Sequence, residues 1–127
     1  SPDFIMVVDQ SGTIHYINRI LADLTIEEMI GKPLYNFQPP ESRDKYKALL
    51  AQVFQGGKMQ TIEVPVTGPD GIITWYETGI VPIKDNEKVV SAMLFTKDIT
   101  GRKEAQKEFD NTIAHLKKQL QRFKSND

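Results

Sequence analysis

The 127-residue sequence predicts an α+β fold: a five-stranded antiparallel sheet with short helices on one face, plus a long C-terminal helix. Three observations lead there. Strand-like alternation occurs in two segments near the start and in three between residues 59 and 97. A stretch of helical period separates the two groups. After Gly101 the chain contains neither Gly nor Pro, and its apolar residues recur at helical spacing.

The elements follow in order. Phe4-Ile5-Met6-Val7-Val8 is a short apolar run ending in the turn signal Asp9-Gln10-Ser11-Gly12, and residues 13–17 alternate again, which predicts a β-hairpin. Between residues 18 and 37 the period changes. Ile20, Leu21 and Leu24, then Met29, Ile30 and Leu34, broken at Gly31-Lys32-Pro33, fit short helical turns. Residues 41–55 follow Pro39-Pro40, precede Gly56-Gly57 and carry the stripe Tyr46, Leu49, Leu50, Val53 and Phe54. That is a helix with a proline start and a glycine stop. Three strands, 59–66, 72–83 and 88–97, are divided by the clusters Gly68-Pro69-Asp70-Gly71 and Asp85-Asn86-Glu87. The sheet's apolar face must be covered by the helices of the crossover, and the enclosed space is either a packed core or a small-molecule cavity.

Composition narrows the functions. The length suits one domain, residues 1–100, with an appended helix, residues 101–127. Residues 1–100 carry 9 basic against 13 acidic side chains and residues 101–127 carry 7 against 4, for a net charge of -1. No field gathers nucleic acid or an anionic membrane, so neither is an expected partner. With no cysteine, disulfides, zinc-thiolate and iron–sulfur sites, thiol nucleophiles and cysteinyl-flavin adducts are excluded. No apolar run approaches the ~20 residues of a transmembrane helix. The expected location is the cytoplasm, with the parent protein free to carry a membrane anchor. The Ser1-Pro2 start leads us to expect a piece of a longer protein.

Four segments resemble the PAS domain of sensory and signalling proteins, over about residues 4–104. They are Asp9-Gln10-Ser11-Gly12-Thr13-Ile14 with Tyr16-Ile17-Asn18; Glu27-Glu28-Met29-Ile30-Gly31-Lys32-Pro33; Asp70-Gly71 leading to Trp75 and Val81-Pro82-Ile83; and Asp98-Ile99-Thr100-Gly101-Arg102-Lys103. The last is similar to the family's Asp-Ile-Thr exit motif. One departure stands out: the family's Gly-Tyr-Ser-like turn is missing where Thr25 runs directly into Ile26-Glu27-Glu28, a shortening expected to narrow or close the family's ligand cavity.

The resemblance implies a small-molecule ligand of unspecified identity, since relatives hold haem, flavin, other chromophores, small acids or metal-bound metabolites. Haem needs an axial ligand, and residues 41–55, where haem-binding relatives carry theirs, contain no histidine. Haem is therefore not expected. His15 shares a face with Thr13 and Ile17 if Ile14 and Tyr16 point the other way. As a lone histidine it suits a structural or surface role, and no metal site is expected. Trp75 or Tyr76 stacks on a noncovalent flavin ring or, the favoured reading, covers the sheet. Arg43, Lys45 and Lys47 with Asp44 form the wet face of the crossover helix, within reach of an anion at its rim.

Histidine kinases follow PAS modules in many proteins, and Ala114-His115-Leu116-Lys117 superficially resembles a phosphoacceptor segment. It lacks the acidic residue after the histidine and the later proline, so His115 is expected to be a solvated helix residue. No glycine-rich nucleotide loop and no Ser–His–Asp arrangement is present. The fragment is expected to be regulatory and without catalytic residues, its parent being a histidine kinase in the first reading and a cyclase or transcription regulator in the alternative.

From about residue 102 to 124 the stripe Phe109, Ile113, Leu116, Leu120 and Phe123 is spaced 4, 3, 4, 3, a heptad seam of two repeats. A homodimer through this seam is expected, with an output domain of the same chain downstream. The helix is expected to leave the sheet's final edge through the exit junction Asp98, Ile99, Thr100 and Arg102. Ile99 is the expected buried pivot, Asp98 accepts from Arg102 or a backbone group, and Thr100 caps the helix. The rival expectation is a filled, ligand-free module that only pairs subunits.

Overall fold

A computed structural model describes residues 4–18 and 24–125. The chain runs β1 (Phe4–Val8), β2 (Ile14–Ile17), α1 (Ile26–Met29), two 3-10 turns (Leu34–Phe37 and Pro40–Ser42), α2 (Arg43–Gly56), β3 (Gln60–Thr67), β4 (Ile73–Asp85), β5 (Lys88–Asp98) and α3 (Thr100–Ser125). The fold class and the order of elements are as expected. The helical turn read at Ile20 and Leu21 lies outside the described residues.

All strand pairs are antiparallel, in the spatial order β2-β1-β5-β4-β3. This corrects one expectation: α3 leaves from the central strand, β5, and not from a sheet edge. The helical crossover carries the chain to the far side, and the meander β3–β4–β5 then runs back until β5 meets β1. β1 suits an inner position because its run Phe4-Ile5-Met6-Val7-Val8 is apolar on both faces.

Local chemistry sets the turns. Asp9 Oδ1 accepts from the Ser11 and Thr13 N–H groups at 2.9 and 3.1 Å, closing the first hairpin as an Asx turn. A register shift between Val7 and Val8 also corrects the alternation expected in β2: Ile14 and Ile17 are both buried, whereas His15 and Tyr16 are both exposed. The bulge supplies the extra residue that breaks the period of two. α2 stops at Gly57, whose left-handed φ of 64° suits glycine and whose N–H reaches the Val53 carbonyl.

The core lies at one end of the sheet's inner face, where Val8, Ile14, Ile80, Ala92 and Leu94 meet Leu50 and Val53 of α2, with Met29 and Leu34 beside them. α3 contributes no buried residue. Its stripe, from Phe109 to Phe123, is exposed throughout, Phe123 at 71%. No described helix is long and apolar enough to cross a membrane.

Candidate functional site

At the other end of the inner face the core does not close. A recess of about 430 Å³ opens there. Its apolar wall is Phe4, Met6, Phe37, Pro39, Val64 and Val66, and its polar groups belong to Gln38, Tyr46, Tyr76, Thr78 and Thr96. A space therefore remains despite the shortened segment after Thr25.

Strand register builds the polar part. Thr78 of β4 and Thr96 of β5 are directly opposed, and in phase with Ile80 and Leu94 both point inward. Tyr46, on the apolar stripe of α2, reaches down to them. The Tyr46 hydroxyl lies 3.0 Å from Thr78 Oγ1, which lies 3.0 Å from Thr96 Oγ1. Three hydroxyls from three elements thus form one ladder. Burial pushes the Tyr46 phenol up, against the smaller opposing pull of the Thr78 hydrogen bond, so it stays protonated and able to donate.

The exit junction adjoins this recess. Tyr76, which lines it, is the register partner of Asp98. Its neighbour Trp75 grips the start of α3 with both main-chain groups: the Ile99 N–H donates to the Trp75 carbonyl at 2.8 Å, and the Trp75 N–H donates to Thr100 Oγ1 at 2.9 Å. Asp98 Oδ1 accepts from the Thr100 N–H at 2.9 Å and from its hydroxyl at 2.6 Å, bonds that hold the Asp98 carboxyl below its usual range. Of the two partners expected for Asp98, the backbone one is thus present. Ile99 is 5% exposed, the buried position expected of a pivot. The Thr100 hydroxyl differs from its expected part: the helix starts at Thr100 itself, and the hydroxyl ties that start to β4.

Arg102 turns to the outer face of the sheet. Glu63 and Glu77 face each other there in register on β3 and β4, a like-charge pair that is unfavourable by itself. The Arg102 guanidinium bridges them at 3.1 and 3.2 Å. Lys103 pairs with Glu63, Lys97 lies 3.4 Å from Glu77, and the Lys103 ammonium sits 4.7 Å from the centre of the Trp75 ring. The hydrogen bond from Arg102 outweighs the opposing effect of burial and, with a lesser contribution from Lys97, holds Glu77 below the ordinary value of 4.5. The stability this contributes is present above the ordinary value and is lost as pH falls through the lower folded one. Arg102→Gln is expected to destabilise by under about 1 kcal/mol near neutral pH and low salt, a gap that narrows as Glu77 takes up its proton. Urea midpoints near neutrality and near pH ~3 check it; an equal gap at both would reject it.

The remaining candidates do not converge on the recess. His15 is exposed and its Nε2 lies 2.8 Å from Asp9 Oδ2, a contact that, with the turn N–H groups, holds the Asp9 carboxyl low. His115 is exposed on α3. Arg43, Asp44, Lys45 and Lys47 are exposed on α2, with Lys47 over the Tyr35 ring at 5.1 Å. Trp75 and Tyr76 point to opposite faces, so only Tyr76 meets the recess. Among the described residues the lining offers no histidine for a haem iron and no cation for a flavin phosphate, and these residues fit neither group. No metal-binding cluster of His, Cys, Asp or Glu exists among the described residues.

The hydroxyl ladder and the two glutamates escaped the sequence reading. A signal for the ladder existed, because Thr78 and Thr96 occupy positions that the period of two assigns to the core.

A family model described as the PAS fold matches residues 1–104. Among solved structures, the chain is similar to the PAS domain of a protein from Colwellia psychrerythraea, at 26% identity and a TM-score of 0.61, over 77% of this chain and 86% of that one. It is similar to a domain of an HTR-like protein from Haloarcula marismortui at 22% identity and a TM-score of 0.63, over 79% and 100%. A sensory box sensor histidine kinase from Vibrio cholerae shares the fold at 17% identity and a TM-score of 0.60, over 76% and 81%. No curated protein matches the chain.

Proposed function

The chain belongs to the PAS-fold family, and from that premise we propose that it is the sensory and dimerisation module of a larger signalling protein. In this reading a small molecule in the recess biases the exit junction, and α3 carries the bias to an output domain of the same chain. One observation carries it. Thr96 lines the recess and Asp98 stands two residues further along the same strand, while Tyr76 lines the recess opposite Asp98, beside the Trp75 that holds α3. A contact with Tyr76 inside the recess is therefore one residue and one hydrogen bond away from the helix start.

A histidine kinase is the output we favour, in line with the likeness to a sensor histidine kinase from Vibrio cholerae. We place the module in the cytoplasm, where a phosphotransfer output finds its nucleotide. The module itself is regulatory and performs no catalysis. The exposed stripe on α3 supplies the dimer contact, which turns a change at one junction into a rearrangement of two helices.

The test uses the full-length protein. Asp98→Ala and Ile99→Ala are expected to leave the sheet folded, by circular dichroism, and to abolish or lock the response of the output domain to its signal. An unchanged response with an intact fold would defeat the junction model. The same stripe also favours a second reading, constitutive pairing with no ligand. Native mass spectrometry separates the two: a stoichiometric small molecule supports sensing, and an empty recess supports assembly.

A further inference from the structure

We propose that the recess selects a compact, uncharged, mainly apolar molecule carrying one hydrogen-bond acceptor, and that the Thr96 hydroxyl donates to that acceptor. The proposal rests on the sensory reading above for its biological meaning, but its chemistry comes from the lining.

Charge is the first constraint. Among the described residues none of the lining side chains is ionised; Glu63, Glu77, Lys97, Arg102 and Lys103 lie on the opposite face, paired with one another, and Asp98, beside the recess, is engaged by Thr100. A carboxylate or phosphate entering the recess would shed water without meeting a counter-charge among the described residues, which is heavily unfavourable. The second constraint is size. A space of about 430 Å³ falls toward the small end of the range for small-molecule cavities.

The third constraint is a proton count. Each hydroxyl of the ladder holds one proton to donate and accepts through two lone pairs. Tyr46, Thr78 and Thr96 are joined by two hydrogen bonds, and among the described residues their side chains make no others. Two bonds use two protons, and the third is left over. A phenol is the more acidic O–H and the weaker acceptor, so the ladder runs from Tyr46 to Thr78 to Thr96. The unspent proton then belongs to Thr96, on the recess wall and on the strand that leads to Asp98. An unmade hydrogen bond in a partly desolvated site is unfavourable, and a ligand acceptor satisfies it.

Three probes of nine heavy atoms each separate these constraints: acetophenone (neutral, with an acceptor), isopropylbenzene (neutral, without one) and benzoate (anionic). Each is titrated into the ¹⁵N-labelled 127-residue chain while amide shifts are followed. Acetophenone is expected to shift the amides around Tyr76, Thr78 and Thr96 and to bind roughly tenfold tighter than isopropylbenzene. Benzoate is expected to leave those amides unmoved where acetophenone saturates them. Thr96→Val, which keeps the shape of the side chain, should erase the tenfold preference, whereas Tyr46→Phe should retain it, because Thr78 still donates to Thr96 and the Thr96 proton stays free for the ligand.

The proposal is overturned by benzoate binding as well as acetophenone, by equal affinity for the two neutral probes, by no shift with any probe, or by a preference that survives Thr96→Val. The sensory reading has its own readout in the amides of residues 98–103. Recess shifts from acetophenone with none at residues 98–103 leave the ligand class standing and remove the sensing. Benzoate shifting residues 98–103 does the reverse.

Discussion

Replacing Leu116 by aspartate is expected to convert a dimer into a monomer across the micromolar range, with the dissociation constant raised by roughly 10²–10⁴-fold. α3 has 26 residues and is therefore about 39 Å long, longer than the domain beneath it can cover. Its seam of Phe109, Ile113, Leu116, Leu120 and Phe123 is exposed along the whole length. In the proposed dimer Leu116 sits at the middle of that seam on both helices. Each copy then loses about 1.5–3 kcal/mol of burial, and the two aspartates add mutual repulsion. Asn111→Asp makes the same charge change on the side away from the seam and should alter association by less than about threefold. Sedimentation equilibrium of the two variants checks the pair of outcomes. Equal affinities would mean that the stripe is not the contact.

The second large effect concerns the sheet. Ile80→Ala is expected to lower the unfolding free energy by about 2–5 kcal/mol, a substantial part of the ~5–15 kcal/mol available to a domain. Ile80 is fully buried on the inner face of β4 against the covering helices, so truncation leaves a cavity that the closed end of the core cannot readily fill. Ile73, on the same strand, is 50% exposed, and Ile73→Ala should stay within about 0.5 kcal/mol. Denaturant unfolding of both variants tests whether the load falls on the inner face near α2. Similar losses would contradict that.

Much of the fold was legible because local chemistry decides it. The Asp9 to Gly12 turn, the Pro39-Pro40 start and Gly56-Gly57 stop of α2, the meander turns and the helical run after Gly101 each carry their own signal. Strand order was not legible, since the period of two tells which face a residue takes but not which strand lies beside it. That is why α3 was expected at an edge, whereas β5 lies between β1 and β4. The exit motif could be read at Asp98, Ile99 and Thr100 because it is contiguous. Its partners could not. Glu63 and Glu77 stand 39 and 25 residues from Arg102, and Tyr46 stands 32 residues from Thr78, so only the assembled sheet brings them together.

The central position of β5 limits how α3 can be driven. β5 is laddered to β1 from Ala92 to Thr96 and to β4 along its length. A piston stroke of that strand would shear both ladders at once, and a slip of one residue would turn its apolar side chains to the wrong face. Motion reaching the helix must therefore be a swivel about the Ile99 peptide or a coiling of all five strands in concert. Either one changes the azimuth of the two rods in a dimer more than their height.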